Sequence, residues 1–454
     1  MDTVLHPRIM GFAAVAIIFA WTPVSAQTTD SPATTRPYRG VFAGSTTNPD
    51  HSLDVTASSF GGYDENAPVS FGTVPSPLLQ SGTYLGFAGT VAYARQGERV
   101  QLGANAGSTS RRYFDTGDWI GTSHYGGIGL NARVGQRMRV ALNQSVTFAP
   151  SYFYGLMPGY EPPALGTVVG GGDFPLGDQG VFVYDTNATA NYNFTRRASI
   201  EALSTYRFSD LGQNDAALNG LSAYSVGGRY RYGLSRNAAL RLGYIYRKGQ
   251  YAYAVRDMAT AIHDIDIGVD YRRALSFSRK TQLDFAVGSS LVTLPTTINS
   301  EIGELTYRVV GDVGVSHEIG RTWRARVAYN RGVGFAEAFV QPVFSDAVNL
   351  SVTGFFTRRI DFNANAGLAI GDVGLGATGS SSTVPGVSNE SFRTWNATAR
   401  VRFALNSKWA VYGEYLYYSQ DFGTAAIVPD GVPPVWDRQT LQFGLTLWFP
   451  LSRR

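Results

Sequence analysis

Cysteine is absent from all 454 residues, which excludes disulfides, thiolate metal sites, a cysteine nucleophile and a lipid-bearing cysteine anchor. Charge is scarce: Asp, Glu, Lys and Arg make up 16% of the chain, against roughly 25% in an average soluble protein. The net charge of +4 is spread without basic blocks, so no nucleic acid partner is indicated. Beyond residue 21 no run of ~18 apolar residues occurs, which excludes a bundle of membrane helices. HExxH, GxSxG, P-loop and EF-hand patterns are also missing. Ser123-His124 is the one adjacent Ser/His pair, and adjacency alone does not create the geometry a nucleophile needs. No enzyme activity, cofactor or metal is therefore expected. Acidic residues on the loop side, among them Asp64, Glu65 and Asp115, read as solvated charges.

What remains is 52 glycines, 13% aromatics and 44% hydrophobic residues, a large apolar surface without helices to carry it. The first 26 residues read as a secretory signal peptide. Arg8 precedes an apolar stretch at 9–21, and Val24-Ser25-Ala26 is a small-residue cleavage pattern, placing the cut between Ala26 and Gln27. Residues 27–50 are polar, contain Pro32 and Pro37, and lack alternation; they read as a periplasmic arm or a plug. Residues 51–454 read as one transmembrane β-barrel.

That assignment rests on period-two alternation. Ile265, Ile267, Val269 and Tyr271 alternate with Asp264, Asp266, Gly268 and Asp270. Leu441, Phe443, Leu445, Leu447 and Phe449 alternate with Gln442, Gly444, Thr446 and Trp448. One face is apolar and the other polar, the reverse of a soluble sandwich whose second face fills a core. Short turns at 96–98, 135–137, 195–197, 235–237, 277–279, 320–322, 357–359 and 406–408 alternate with mostly longer connections such as 65–81, 156–180, 376–391 and 423–437. Short turns on one side and long loops on the other are the pattern of an outer-membrane barrel. Several turns share a look: Phe194-Thr-Arg-Arg, Leu234-Ser-Arg-Asn, Phe356-Thr-Arg-Arg and Leu405-Asn-Ser-Lys. The count is about 18 antiparallel up-and-down strands, with 16 open because segments near Leu291 and Val348 are less regular.

Tryptophan marks the strand ends. Trp323, Trp409 and Trp448 fall at the short-turn side and Trp119, Trp395 and Trp436 at the long-loop side, as two aromatic girdles would; the parity of Trp448 points it into the lumen. If the short turns set antiparallel register, Arg272 faces Asp284, Arg400 faces Glu414, Arg324 faces Glu318 and Arg207 faces Asp185, all with lumen parity. Such pairs read as a structural ladder worth roughly 0.2–1 kcal/mol each. Arg231 faces Arg241, with Arg229 one lumen position further up. That group is a candidate anion-attracting patch, with Asp270 on the next strand a possible counter-ion. The loop at 156–180 either folds inward as a constriction or stays exposed.

The signal peptide, the alternation from Leu53 to Leu451, the Trp girdles and the closing strand LQFGLTLWFPL together resemble the uncharacterised bacterial outer-membrane β-barrel proteins of the porin type. One departure is the end of the chain, where Phe449 is followed by Pro450-Leu451-Ser452-Arg453-Arg454 instead of closing on an aromatic residue. The resemblance implies residence in a Gram-negative outer membrane, with outer-membrane lipid, the barrel assembly machinery and small hydrophilic solutes as partners, and passive diffusion as the activity. The alternative is a channel or scaffold exporting a polymer such as exopolysaccharide, for which inward Tyr84, Tyr412, Tyr418 and Trp448 would stack on sugar rings. No oligomeric state is legible.

Overall fold

The computed structural model describes residues 50–69, 78–115, 120–149, 181–210, 219–252, 258–274, 280–293, 305–335, 342–373, 390–422 and 435–453. The leader, the cleavage site, the 27–49 arm, Trp119 and the 156–180 loop lie outside them. Eighteen strands follow one another. The first six are β1 (His51–Val69), β2 (Leu78–Gln96), β3 (Val100–Tyr113), β4 (Ile120–Val134), β5 (Met138–Ala149) and β6 (Val181–Asn193). Next come β7 (Ala198–Asp210), β8 (Asn219–Gly233), β9 (Ala238–Ala252), β10 (Met258–Ala274), β11 (Thr281–Thr293) and β12 (Leu305–Ile319). The last are β13 (Trp323–Gly334), β14 (Val343–Thr357), β15 (Ile360–Val373), β16 (Glu390–Ala404), β17 (Trp409–Asp421) and β18 (Val435–Arg453). Each pairs antiparallel with the next, and β1 pairs with β18 to close the barrel. The stretches around Leu291 and Val348 are regular strands within β11 and β14, which settles the count at 18.

The alternation orients the wall. On β18, Leu441, Phe443, Leu445 and Phe449 are exposed outward, whereas Arg438, Thr440, Gln442 and Thr446 are buried on the inner side. An apolar exterior around a polar interior satisfies a bilayer, and closure leaves no strand edge in the hydrocarbon. At ~4.8 Å between strands and a tilt of ~40°, eighteen strands enclose a backbone cylinder about 36 Å across. Inward side chains cannot fill that width.

The repeated turn sequences have a common cause. Thr195 Oγ1 accepts the N–H groups of Arg197 and Ala198, and Ser235 Oγ those of Asn237 and Ala238. Asn406 Oδ1 accepts those of Lys408 and Trp409, and Thr357 Oγ1 that of Arg359. The short polar side chain satisfies amides that the tight reversal would leave bare. Gly135 and Gly320, at φ +67° and +64°, serve two further tight turns through a left-handed backbone that costs glycine little.

Two details differ from the sequence expectation. The β1–β2 hairpin pairs out to Val69 and Leu78, so the connection expected at 65–81 is shorter. The register shifts between Asp64 and Ala67, where Asn66 adopts φ 57°, as a bulge requires. Pro450 stands within β18 but beyond the last β17 partner, Leu447 opposite Trp409. Its missing N–H therefore costs no β17 bond, and the β1–β18 register shifts beside it, between Leu53 and Asp54.

Candidate functional site: the lumen wall

On β8 and β9, Arg231 and Arg241 are Cα partners across the Ser235 turn. Like charges so placed repel unless a third group intervenes. Asp270 of β10 supplies it. Its Oδ1 accepts Arg241 Nη1 at 2.7 Å, and its Oδ2 lies 3.2 Å from Arg231 Nε. Two guanidiniums thus share one carboxylate. The Arg241 side chain is 5% exposed and that of Arg231 58%, so Arg231 is the group a solute meets. Arg229 lies level with Glu201 of β7 and Gly243 of β9.

The remaining sequence pairs fall as follows. Arg207 reaches Asp185 at 3.6 Å, Arg324 reaches Glu318 at 3.1 Å, and Arg400 reaches Glu414 at 3.8 Å. Arg272 and Asp284 are Cα partners; the Asp284 carboxylate lies 3.9 Å from Arg326. Ion pairs missed from the sequence are Arg402–Asp361, with Nε at 3.0 and 3.1 Å from the two carboxylate oxygens, and Arg247–Asp264 at 2.6 Å. Arg402–Asp361 crosses the long connection at 374–389, whose length does not fix register, and Arg247–Asp264 is a diagonal contact, Arg247 standing opposite Ile262.

The third missed pair sits where β18 meets β1. Asp64 accepts Arg438 Nε at 2.7 Å, Tyr113 Oη at 2.9 Å and Thr440 Oγ1 at 2.9 Å, besides Arg438 Nη2. Asp64 and Arg438 are both 0% exposed. The expectation of a solvated loop charge at Asp64 is thus corrected: the strand runs past it, and even parity turns it inward. Alongside, the Arg111 guanidinium lies 4.7 Å from the Tyr84 ring centroid. Tyr84 Oη donates to Gln442 Oε1, and Gln442 Nε2 donates to Tyr412 Oη, both at 3.0 Å.

Trp436 belongs to this knot and not to a girdle. It shares parity with Arg438, is buried, packs on Tyr418 at 5.0 Å and donates Nε1–H to the Asn66 carbonyl at 2.8 Å. Trp448 faces Thr56 on the inner side. Trp323, Trp395 and Trp409 point outward. Trp323 stacks with Phe356 and Phe362 at the short-turn rim, and Arg393 covers Trp395 at the other rim. Tyr84, Tyr412 and Tyr418 are buried in the wall, so their faces are closed to a passing sugar. Ser123 and His124 lie on opposite faces; His124 stacks on Phe148 outside.

A structural constriction also emerges. The β12–β13 ladder ends at Gly311–Arg331, yet β12 continues beside β11 to Leu305 and β13 beside β14 to Gly334. Above this split, Val333 and Phe344, from the outer face of the β13–β14 hairpin, pack on inner-face Ile262, Val292 and Val310. Arg247 Nη1 donates to the Val333 carbonyl at 2.7 Å while paired with Asp264, which also accepts Ser290 Oγ. The hairpin end laps inside its neighbours and narrows the bore from that side.

No family model matches the chain, and no curated protein matches it. Among solved structures it is similar to Pseudomonas aeruginosa OccK7 (OpdD), at 13% identity over 89% of this chain and 100% of that one, TM-score 0.41. It is likewise similar to Pseudomonas aeruginosa OccK2 (OpdF) in complex with glucuronate, at 11% identity over 89% and 99%, TM-score 0.41. The siderophore receptor PirA of Pseudomonas aeruginosa matches at 10% identity over 88% and 81%, TM-score 0.39.

Proposed function

We propose that this chain is an outer-membrane channel for passive diffusion of small hydrophilic solutes or ions. The observation that carries the reading is a wall of inward ion pairs on an eighteen-strand circumference, too wide for side chains to close. Paired charges keep the lumen wetted while cancelling most of the field along it. The surplus at Arg231, Arg241 and Asp270, two cations to one anion, biases the bore toward anions. The leader at 1–26 delivers the chain across the inner membrane, and the barrel assembly machinery inserts it.

The test is single-channel conductance of the refolded mature chain in a planar bilayer, with reversal potential under a salt gradient. Steady steps with an anion-selective potential are expected. Silence from correctly folded barrels would overturn the open-channel reading.

A further inference from the structure

Few polar side chains face outward at mid-height of the wall. Gln144 is the seventh residue of β5 counted from Met138, roughly 15 Å above the short-turn rim for strands tilted by ~40°. It lies on the outward face with Leu142 and Phe148, both exposed. Among the described residues, no other strand presents an amide or a charge outward at this level; the Arg331–Asp346 pair and Gln439 stand outward one position higher. Thr186 of β6 is its Cα partner, and Ser204 of β7 stands opposite Ala188 one position along. Three adjacent strands therefore carry a carboxamide and two hydroxyls toward the middle of the hydrocarbon.

Their hydrogen-bonding capacity is mostly unspent. Gln144 Nε2 donates to Tyr184 Oη at 2.5 Å. Among the described residues, Gln144 Oε1 accepts nothing, and the hydroxyls of Thr186 and Ser204 have no side-chain or backbone partner. Lipid tails offer none, so such groups are costly unless protein covers them. The neighbouring outward positions, Ala188 and Ala202, are small, which permits another wall to approach closely.

We propose that the outward strip of β5–β7 is a subunit interface occupied by a second copy of this chain, patch against patch about a two-fold axis. A carboxamide donates and accepts at once, and hydroxyls do the same, so the strip complements itself. It carries no formal charge to repel its copy. The three strands across a band ~25 Å tall give roughly 350–450 Å² per subunit, a small contact that hydrogen bonds more than area would hold.

The absence of cysteine makes the test clean. Gln144→Cys and Thr186→Cys would be introduced singly, refolded into lipid vesicles and treated with a short bis-maleimide. Ile267→Cys, outward on β10 and away from the strip, is the control. Covalent dimer is expected from the first two and not from the control. The unlabelled native chain should run as a dimer in sedimentation, and Gln144→Leu should weaken dimerisation by about three- to tenfold while keeping the heat-modifiable gel shift of a folded barrel. Cross-linking no greater than the Ile267→Cys control, or a native chain that is monomeric in lipid, would overturn the proposal.

Discussion

Replacing Arg438 with Met tests a fully buried charge. Asp64 would keep the Tyr113 and Thr440 donors and lose both bonds from the guanidinium. Each charge-assisted bond contributes about 1.5–3 kcal/mol, and a buried carboxylate stripped of its partner costs about 3–5 kcal/mol overall. Arg111, already stacked over Tyr84, is close enough to offset part of this and keeps the expectation near the lower end. The double variant Asp64→Leu/Arg438→Met removes both charges, and should regain most of the loss, because the desolvation penalty disappears with the pair. Equilibrium urea unfolding in lipid vesicles measures both. Hydrogen exchange adds location: amides of β1 and β18 should open more readily, whereas those of β8–β10 should not. A single variant within about 1 kcal/mol of native, or a double variant no better than the single, would refute the buried-pair reasoning.

Arg231→Ser should shift the reversal potential toward cations more than Arg241→Ser, because the Arg231 side chain is the exposed one; equal shifts would remove Arg231 from selectivity. Phe344→Ala should cost roughly 3–5 kcal/mol in the packed lap and raise single-channel conductance by loosening the β13–β14 end; an unchanged step size would mean the lap does not limit flow. Ser235→Ala removes the acceptor for two turn amides and should lower unfolding stability by about 1 kcal/mol. Asp115, beyond the end of β3, accepts the Thr83 backbone N–H and then its hydroxyl, which hold its carboxyl below the usual range. A lowered folded value stabilises the folded end above the ordinary 3.8 and loses that contribution as pH falls through the lowered value. The protection factor of the Thr83 amide, taken against the intrinsic exchange rate at each pH, should therefore fall in acid, and a protection factor independent of pH would count against the bond.

Which contacts were legible follows from how register is set. Arg207–Asp185, Arg324–Glu318 and Arg400–Glu414 all span short turns, where a constant index sum fixes the partner. Arg402–Asp361, Arg247–Asp264 and Arg331–Asp346 span loop-side connections, and Asp64–Arg438 spans the closing seam. Neither kind of junction writes its register into the local sequence. Trp436 shows a second limit. Its distance from the strand end suits a girdle equally well on either face, and only its shared parity with Arg438 and Thr440 places it inside. The lap of β13–β14 was invisible because Val333 and Phe344 alternate as lipid-facing residues do; a neighbouring wall covers them instead.

The two halves of the wall divide the work. From β17 through β3 the inner face is a hydrogen-bonded network of Asp64, Arg438, Arg111 and their tyrosines, with the rings and the charges buried. From β8 through β14 the inner face holds the surplus arginine, an exposed guanidinium and the inward lap. A buried, hydrogen-bonded network resists change and offers a solute little to bind. A shared carboxylate leaves one guanidinium partly uncompensated and open to solvent. Permeation and stability should therefore respond to different residues: Arg231→Ser should alter ion preference at nearly constant unfolding free energy, and Arg438→Met should do the reverse. If both variants moved both quantities, the wall would act as one coupled network, and the assignment of selectivity to the β8–β10 side would fail.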